Sequence, residues 1–113
     1  MENDASATPV ENVLALSHKE AIILELLLSG KADMFGLEMV EASNGALKRG
    51  TIYVTLQRMK EKGFLDSKPE PRSMPEIGIP RRLYRATGLG ERALNAHRAA
   101  KAVWIADLGI ANA

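Results

Sequence analysis

The stretch Leu47-Lys48-Arg49-Gly50-Thr51-Ile52-Tyr53-Val54-Thr55-Leu56-Gln57-Arg58-Met59-Lys60-Glu61-Lys62-Gly63-Phe64-Leu65 decides the architecture. On a helix, Ile52, Leu56 and Met59 fall within one narrow stripe, while Gly50, Val54, Gln57, Arg58 and Glu61 lie opposite. One face packs and the other is free to read a partner. Lys48 and Arg49 stand at the expected start of this helix, where the dipole favours a Ser or Asp cap and negative charge. Cations there require an anion from outside, and a DNA phosphate supplies one. Gly63 is placed to end the helix in a left-handed conformation, and Phe64-Leu65 then opens an apolar, strand-like run.

Charge is divided along the chain in the same sense. The net charge is +1, but residues 1–47 carry two basic and eight acidic side chains, and residues 48–85 carry ten basic and four acidic. A basic middle third after an acidic first third is the distribution of a small nucleic-acid binder whose positive charge is gathered on one element. A solvated mixed surface is the competing account of the same counts. With 113 residues the chain makes one small domain, with a core modest enough to need a partner subunit for part of its apolar burial. The absence of cysteine excludes disulfides and thiolate metal sites. There is no apolar run long enough to span a bilayer and no signal-like N-terminus, so a soluble, cytoplasmic protein without membrane contact is expected.

Working outward, residues 1–12 are polar and contain Pro9, and residues 1–15 are expected to form a flexible arm. Ser17-His18-Lys19-Glu20 is a capping box, with Leu16 and Ala21 spaced as its hydrophobic staple, and predicts a first helix from His18 to about Ser29-Gly30. Its run of large aliphatics implies burial from more than one side. Asp33 is a candidate cap for a second helix from about Met34 to Ala42, stopped by Ser43-Asn44-Gly45. Two consecutive short helices, the second with a polar outward face, are what a helix-turn-helix requires. Phe64 to Lys68 reads as a strand and Arg81 to Ala86 as its partner, joined by a proline-rich exposed loop from Pro69 to Pro80. Thr87 then caps a final helix from Gly88 to about Leu108, whose alanine-rich stripe has too little left to pack against in so small a domain. A second copy of the chain is the expected partner. The predicted architecture is mainly α with a small β-hairpin: a winged helix-turn-helix of three helices plus wing over residues 16–87, followed by a dimerisation helix over residues 88–113.

The chain resembles the PadR-like transcriptional regulators over about residues 16–94. The resemblance rests on Gly50-Thr51-Ile52-Tyr53 with Leu56, Arg58-Met59 and Gly63-Phe64-Leu65, on Phe35-Gly36-Leu37-Glu38, and on Pro80-Arg81-Arg82-Leu83-Tyr84-Arg85-Ala86-Thr87 with Gly90. It implies a homodimeric, ligand- or stress-responsive DNA-binding regulator, usually a repressor. The chain departs from the family at Lys48-Arg49, where Ser-Pro is usual, and at Gly88, where the family has an acid.

Side-chain chemistry nominates the contacts. Gln57 can present a bidentate amide to adenine, Val54 an apolar contact to a thymine methyl, and Arg58 a fork to guanine or phosphate, although an ion pair with Glu61 or an acid of the second helix competes for Arg58. Lys48 and Arg49 at the helix start are placed for phosphate contacts, as is the Tyr53 hydroxyl while its ring packs, and Thr51 beside them is a further DNA-binding candidate. Arg81 and Arg82 at the wing base are phosphate or minor-groove candidates. Val103, Trp104 and Leu108 are assigned to the dimer interface; by resemblance, Trp104 also stands where some relatives stack flat ligands. His18 and His97 lie apart from other ligand types, so neither metal nor cofactor is expected. No enzyme signature is present. The expected function is a dimeric repressor on an inverted-repeat operator of double-stranded DNA, released by a small-molecule effector or stress signal; a winged helix serving as a protein-interaction module without a specific DNA target is the alternative.

Overall fold

The computed structural model describes residues 15–71 and 81–108. Helix α1 spans His18–Ser29 and opens on the expected capping box: Ser17 Oγ accepts from the Glu20 amide at 3.2 Å, and Glu20 Oε1 accepts from the Ser17 amide at 2.9 Å. Ile23, Leu24 and Leu27 are enclosed, and α1 touches every other helix as well as the sheet. It is the element on which the domain is assembled, as its all-round aliphatic composition requires.

The second helix differs from the sequence-based expectation. Met34–Phe35 form a short strand, β1, and α2 begins only at Gly36, running to Ala42. Asp33 therefore caps nothing; its carboxylate accepts a fork from Arg85, at 3.0 and 3.2 Å. Met34 pairs with Tyr84 and Phe35 with Leu83, so the ladder offered by the wing outweighs one more helical turn, and Met34 is buried in the exchange. Glu38 takes over the capping by accepting from the Phe35 amide at 2.8 Å. Asn44 and Gly45 then turn the chain at positive φ, where the Asn-Gly pair is at home.

The third helix, α3, spans Ile52–Glu61 and buries Ile52, Leu56 and Met59 as the stripe predicts. It starts later than Lys48 and Arg49 suggest. The Lys48 carbonyl accepts from the amides of Thr51 and Ile52, at 3.2 and 3.0 Å, so both cations lie on a turn that precedes the helix. The helix ends in a Schellman motif: Gly63 has φ +83°, its amide donates to Lys60 O at 2.9 Å, and the Phe64 amide donates to Met59 O at 2.9 Å.

Strands β2 (Leu65–Pro69) and β3 (Arg82–Ala86) form the antiparallel wing, with Leu65 opposite Ala86 and Pro69 opposite Arg82. The sheet has three strands in the order β1-β3-β2, not the two of a simple hairpin. The loop expected between the wing strands lies largely outside the described residues. Helix α4 spans Gly88–Leu108 and is tied to the end of α3 by Thr87. The Thr87 hydroxyl donates to Gly63 O at 2.6 Å and accepts from the Gly90 amide at 3.0 Å. Gly90 is obligatory there, because a Cβ would stand 2.3 Å from Phe64 O. Ala93 and Leu94 enter the core, and an Arg98–Glu25 pair at 2.9 Å holds α4 along α1.

Candidate nucleic-acid interface

With Ile52, Leu56 and Met59 turned inward, α3 presents Tyr53, Val54, Gln57, Arg58 and Glu61 on an exposed face; Tyr53 is 51% and Val54 54% exposed. Two well-exposed apolar side chains beside polar ones make a surface suited to base edges and thymine methyls. Gln57 donates to Glu61 Oε2 at 3.2 Å, one turn along the helix. Arg58 makes no ion pair among the described residues, so the competing pairing with Glu61 or an acid of α2 is absent and its guanidinium is available. Thr51 caps α3 by position alone, its side chain making no cap hydrogen bond.

Tyr53 is held by the packing of α2 on α3. A Cβ on Gly36 would stand 2.8 Å from Tyr53 Cε1 and 3.3 Å from Leu56 Cδ1, so any larger residue there would displace the tyrosine ring from its present position. The tyrosine ring thus forms one wall of a cleft of about 520 Å³ that also gathers Arg49, Arg81 and Arg82. Cations from the turn before α3 and from the wing base are brought to one opening. A second groove, about 710 Å³, runs between the start of α1 and the outer face of α3 past Lys19, Val54 and Arg58.

The wing arginines are more engaged than expected from the sequence. Arg81 forks onto Glu70, at 3.2 and 2.9 Å, and its guanidinium lies 3.9 Å from the centroid of Phe35. Arg82 donates to Ser67 Oγ at 3.0 Å and Ser67 O at 3.3 Å, bracing the hairpin while remaining exposed. Both therefore have structural roles that a purely phosphate-reading assignment omits.

Around the site, hydrogen bonds set the protonation of the acids. Lys31 and then the Phe35 amide hold the Glu38 carboxyl below the usual carboxylate range. The Arg85 hydrogen bond does the same for Asp33, while burial pushes the Tyr84 hydroxyl up.

Glu20 and Lys62 have a connection that sequence reasoning missed. Glu20 is 4% exposed, and its second oxygen accepts from Lys62 Nζ at 2.8 Å, joining the start of α1 to the end of α3. The capping box announces Glu20; nothing local announces a partner 42 residues later. On α4, Val103 and Trp104 are 60% and 61% exposed, and the helix extends to Leu108, whose side chain lies outside the described residues. No helix among the described residues is long and apolar enough to cross a membrane.

The fold recurs in solved structures. A PadR family transcription regulator from Clostridium difficile matches with a TM-score of 0.65 at 23% identity, over 81% of this chain and 94% of that one. A PadR-like transcription factor from Bacteroides fragilis matches with a TM-score of 0.65 at 23% identity, over 80% and 86% of the two chains. A protein assigned as a transcriptional regulator from Thermoplasma acidophilum matches with a TM-score of 0.60 at 30% identity, over 82% and 86%. No curated protein sequence is significantly similar. The family model described as the transcriptional regulator PadR-like family matches residues 23–96, from the middle of α1 through the wing into α4. A winged helix with an outward-facing third helix and a match over most of its length place this chain in the PadR-like family of transcriptional regulators.

Proposed function

We propose that the protein is a homodimeric repressor that reads an inverted-repeat operator with α3 and steadies it with the wing. The observation that carries this is the outer face of α3, where Val54, Gln57 and Arg58 are exposed side by side and Arg58 has no ion-pair partner among the described residues. Lys48, Arg49 and Arg82 are exposed, and Arg49 and Arg82 share the cleft beside Tyr53; these three are the phosphate contacts, with Thr51 and the Tyr53 hydroxyl beside them. Phosphate contacts supply affinity and register, and Val54, Gln57 and Arg58 supply discrimination.

Dimerisation rests on α4, which leaves Val103 and Trp104 more than half exposed in the single chain. Two chains joined through α4 present two copies of α3, so the half-sites lie about one helical turn, roughly 10 base pairs, apart or a multiple of that. Repression, and its relief by a flat ligand stacked on Trp104 or by a stress signal, follow the habit of the family. The test is competition: the duplex recovered by selection from genomic fragments must displace the protein from random DNA of equal length at physiological salt. A specificity ratio of at least about a thousandfold is expected; equal affinity for the two duplexes sinks sequence-specific regulation and leaves a non-specific or protein-binding module.

A further inference from the structure

Arg81 joins three parts of the domain that are far apart in sequence. Its guanidinium faces the Phe35 ring at 3.9 Å while its Nε and Nη2 donate to the two Glu70 oxygens, at 3.2 and 2.9 Å. The backbone closes at the same place, since the Glu70 amide donates to the Arg81 carbonyl at 2.7 Å. Phe35 is the residue where β1 ends and α2 begins. Glu70 follows the last residue of β2, and Arg81 precedes the first of β3. One planar cation therefore holds the far end of the paired wing strands against the second helix.

From this juxtaposition, and resting on the DNA-binding function proposed above, we infer that Arg81 is a positioning residue. It sets the angle of the wing through Phe35 and Glu70, and Glu70, although an acid beside a surface built for a polyanion, supports DNA binding. An isolated exposed ion pair contributes little. Here the fork holds two guanidinium nitrogens on Glu70 while the guanidinium carbon lies 3.9 Å from the Phe35 ring centroid, two contacts that lysine cannot reproduce together. The strand ladder has its last paired residues at Pro69 and Arg82, so the lock stands where the ladder ends.

A phosphate-reading Arg81 and a positioning Arg81 predict opposite signs. If Arg81 reads phosphate, Glu70 restrains and neutralises it; Glu70→Gln then binds every duplex more tightly, and Arg81→Lys, which keeps the charge, binds almost as the parent does. If Arg81 positions the wing, Glu70→Gln and Arg81→Lys both weaken binding to the selected duplex, by about threefold to tenfold, with the slope of log affinity against log salt unchanged. Amide exchange in the free full-length protein supplies a readout without DNA. The Glu70 amide and the wing amides should exchange faster in both variants, by a similar factor, while those of α1 stay as in the parent. Unchanged exchange, or a Glu70→Gln variant that binds as tightly as the parent or more so, overturns the inference. A parent that shows no preference for any duplex sinks the proposed function instead, and the exchange result then decides the role of Arg81 alone.

Discussion

Replacing Glu20 tests how the third helix is held in place. The side chain is almost fully buried, and each oxygen has its own partner: the Ser17 amide at 2.9 Å and Lys62 Nζ at 2.8 Å. Lys62 is less enclosed, its side chain 44% exposed, and its ammonium also lies 5.9 Å from the centroid of Phe64. Glu20→Ala removes half of a capping box, about 0.5–1 kcal/mol. It also breaks an ion pair; a fully buried pair broken on one side costs about 3–5 kcal/mol, but here the lysine left behind can return to water, so about 1–2 kcal/mol is the reasonable share. The expected loss is about 1.5–3 kcal/mol, read by urea denaturation at fixed protein concentration. Glu20→Gln keeps an acceptor for the Ser17 amide and should lose about half as much. Lys62→Met strands a buried carboxylate and should cost more than Glu20→Gln, even though lysine is the more exposed partner. If Glu20→Ala unfolds within about 0.5 kcal/mol of the parent, the pair is a surface contact of the ordinary weak kind and does not anchor α3.

Further predictions concern recognition, assembly and pH. Gln57→Ala should relax preference at one base position per half-site, costing the selected duplex about 1–3 kcal/mol and leaving random DNA unaffected; a loss shared equally by both duplexes would show that Gln57 reads no base. Lys48→Ser with Arg49→Pro should lower the slope of log affinity against log salt by about one to two units per subunit. Because α3 starts at Ile52, the replaced side chains lie too far upstream to cap it; little change in stability is expected, and an unaltered salt slope would remove both cations from the interface. Trp104→Ala should weaken self-association by about 2–4 kcal/mol, roughly a thirtyfold to thousandfold rise in dimer dissociation constant by sedimentation; a parent that sediments as a monomer at high concentration removes the α4 interface altogether. Asp33 and Glu38 have folded pKa values below their unfolded ones, so the native state binds fewer protons, and their contribution is present above the ordinary carboxylate range and fades as pH falls through the depressed values. Urea midpoints should decline on the acid side, and Asp33→Asn combined with Glu38→Gln should flatten that decline.

Devices that act within a few residues were legible in the sequence. Ser17 with Glu20, Gly63, and Thr87 each satisfy or release a backbone group in their own turn, so residue type and spacing were enough to place three helix ends. The stripe of Ile52, Leu56 and Met59 likewise determined which face of α3 is buried and, by subtraction, which face is free. The tertiary structure decided whatever depended on a partner distant in the chain. Asp33 is as good a cap as Ser17 by composition, yet Arg85 claims it from 52 positions away, and the edge of β3 turns Met34 and Phe35 into a strand. Lys48 and Arg49 precede α3, and a basic run before an apolar stripe does not mark where the first amide finds its carbonyl. The contacts of Arg81 with Glu70 and with the Phe35 ring likewise depend on the folded wing, and nothing in the turn around Arg81 announces them. Local hydrogen-bond geometry can be enumerated from a few side chains, whereas an ion pair or a strand edge is selected by what the completed fold leaves unsatisfied.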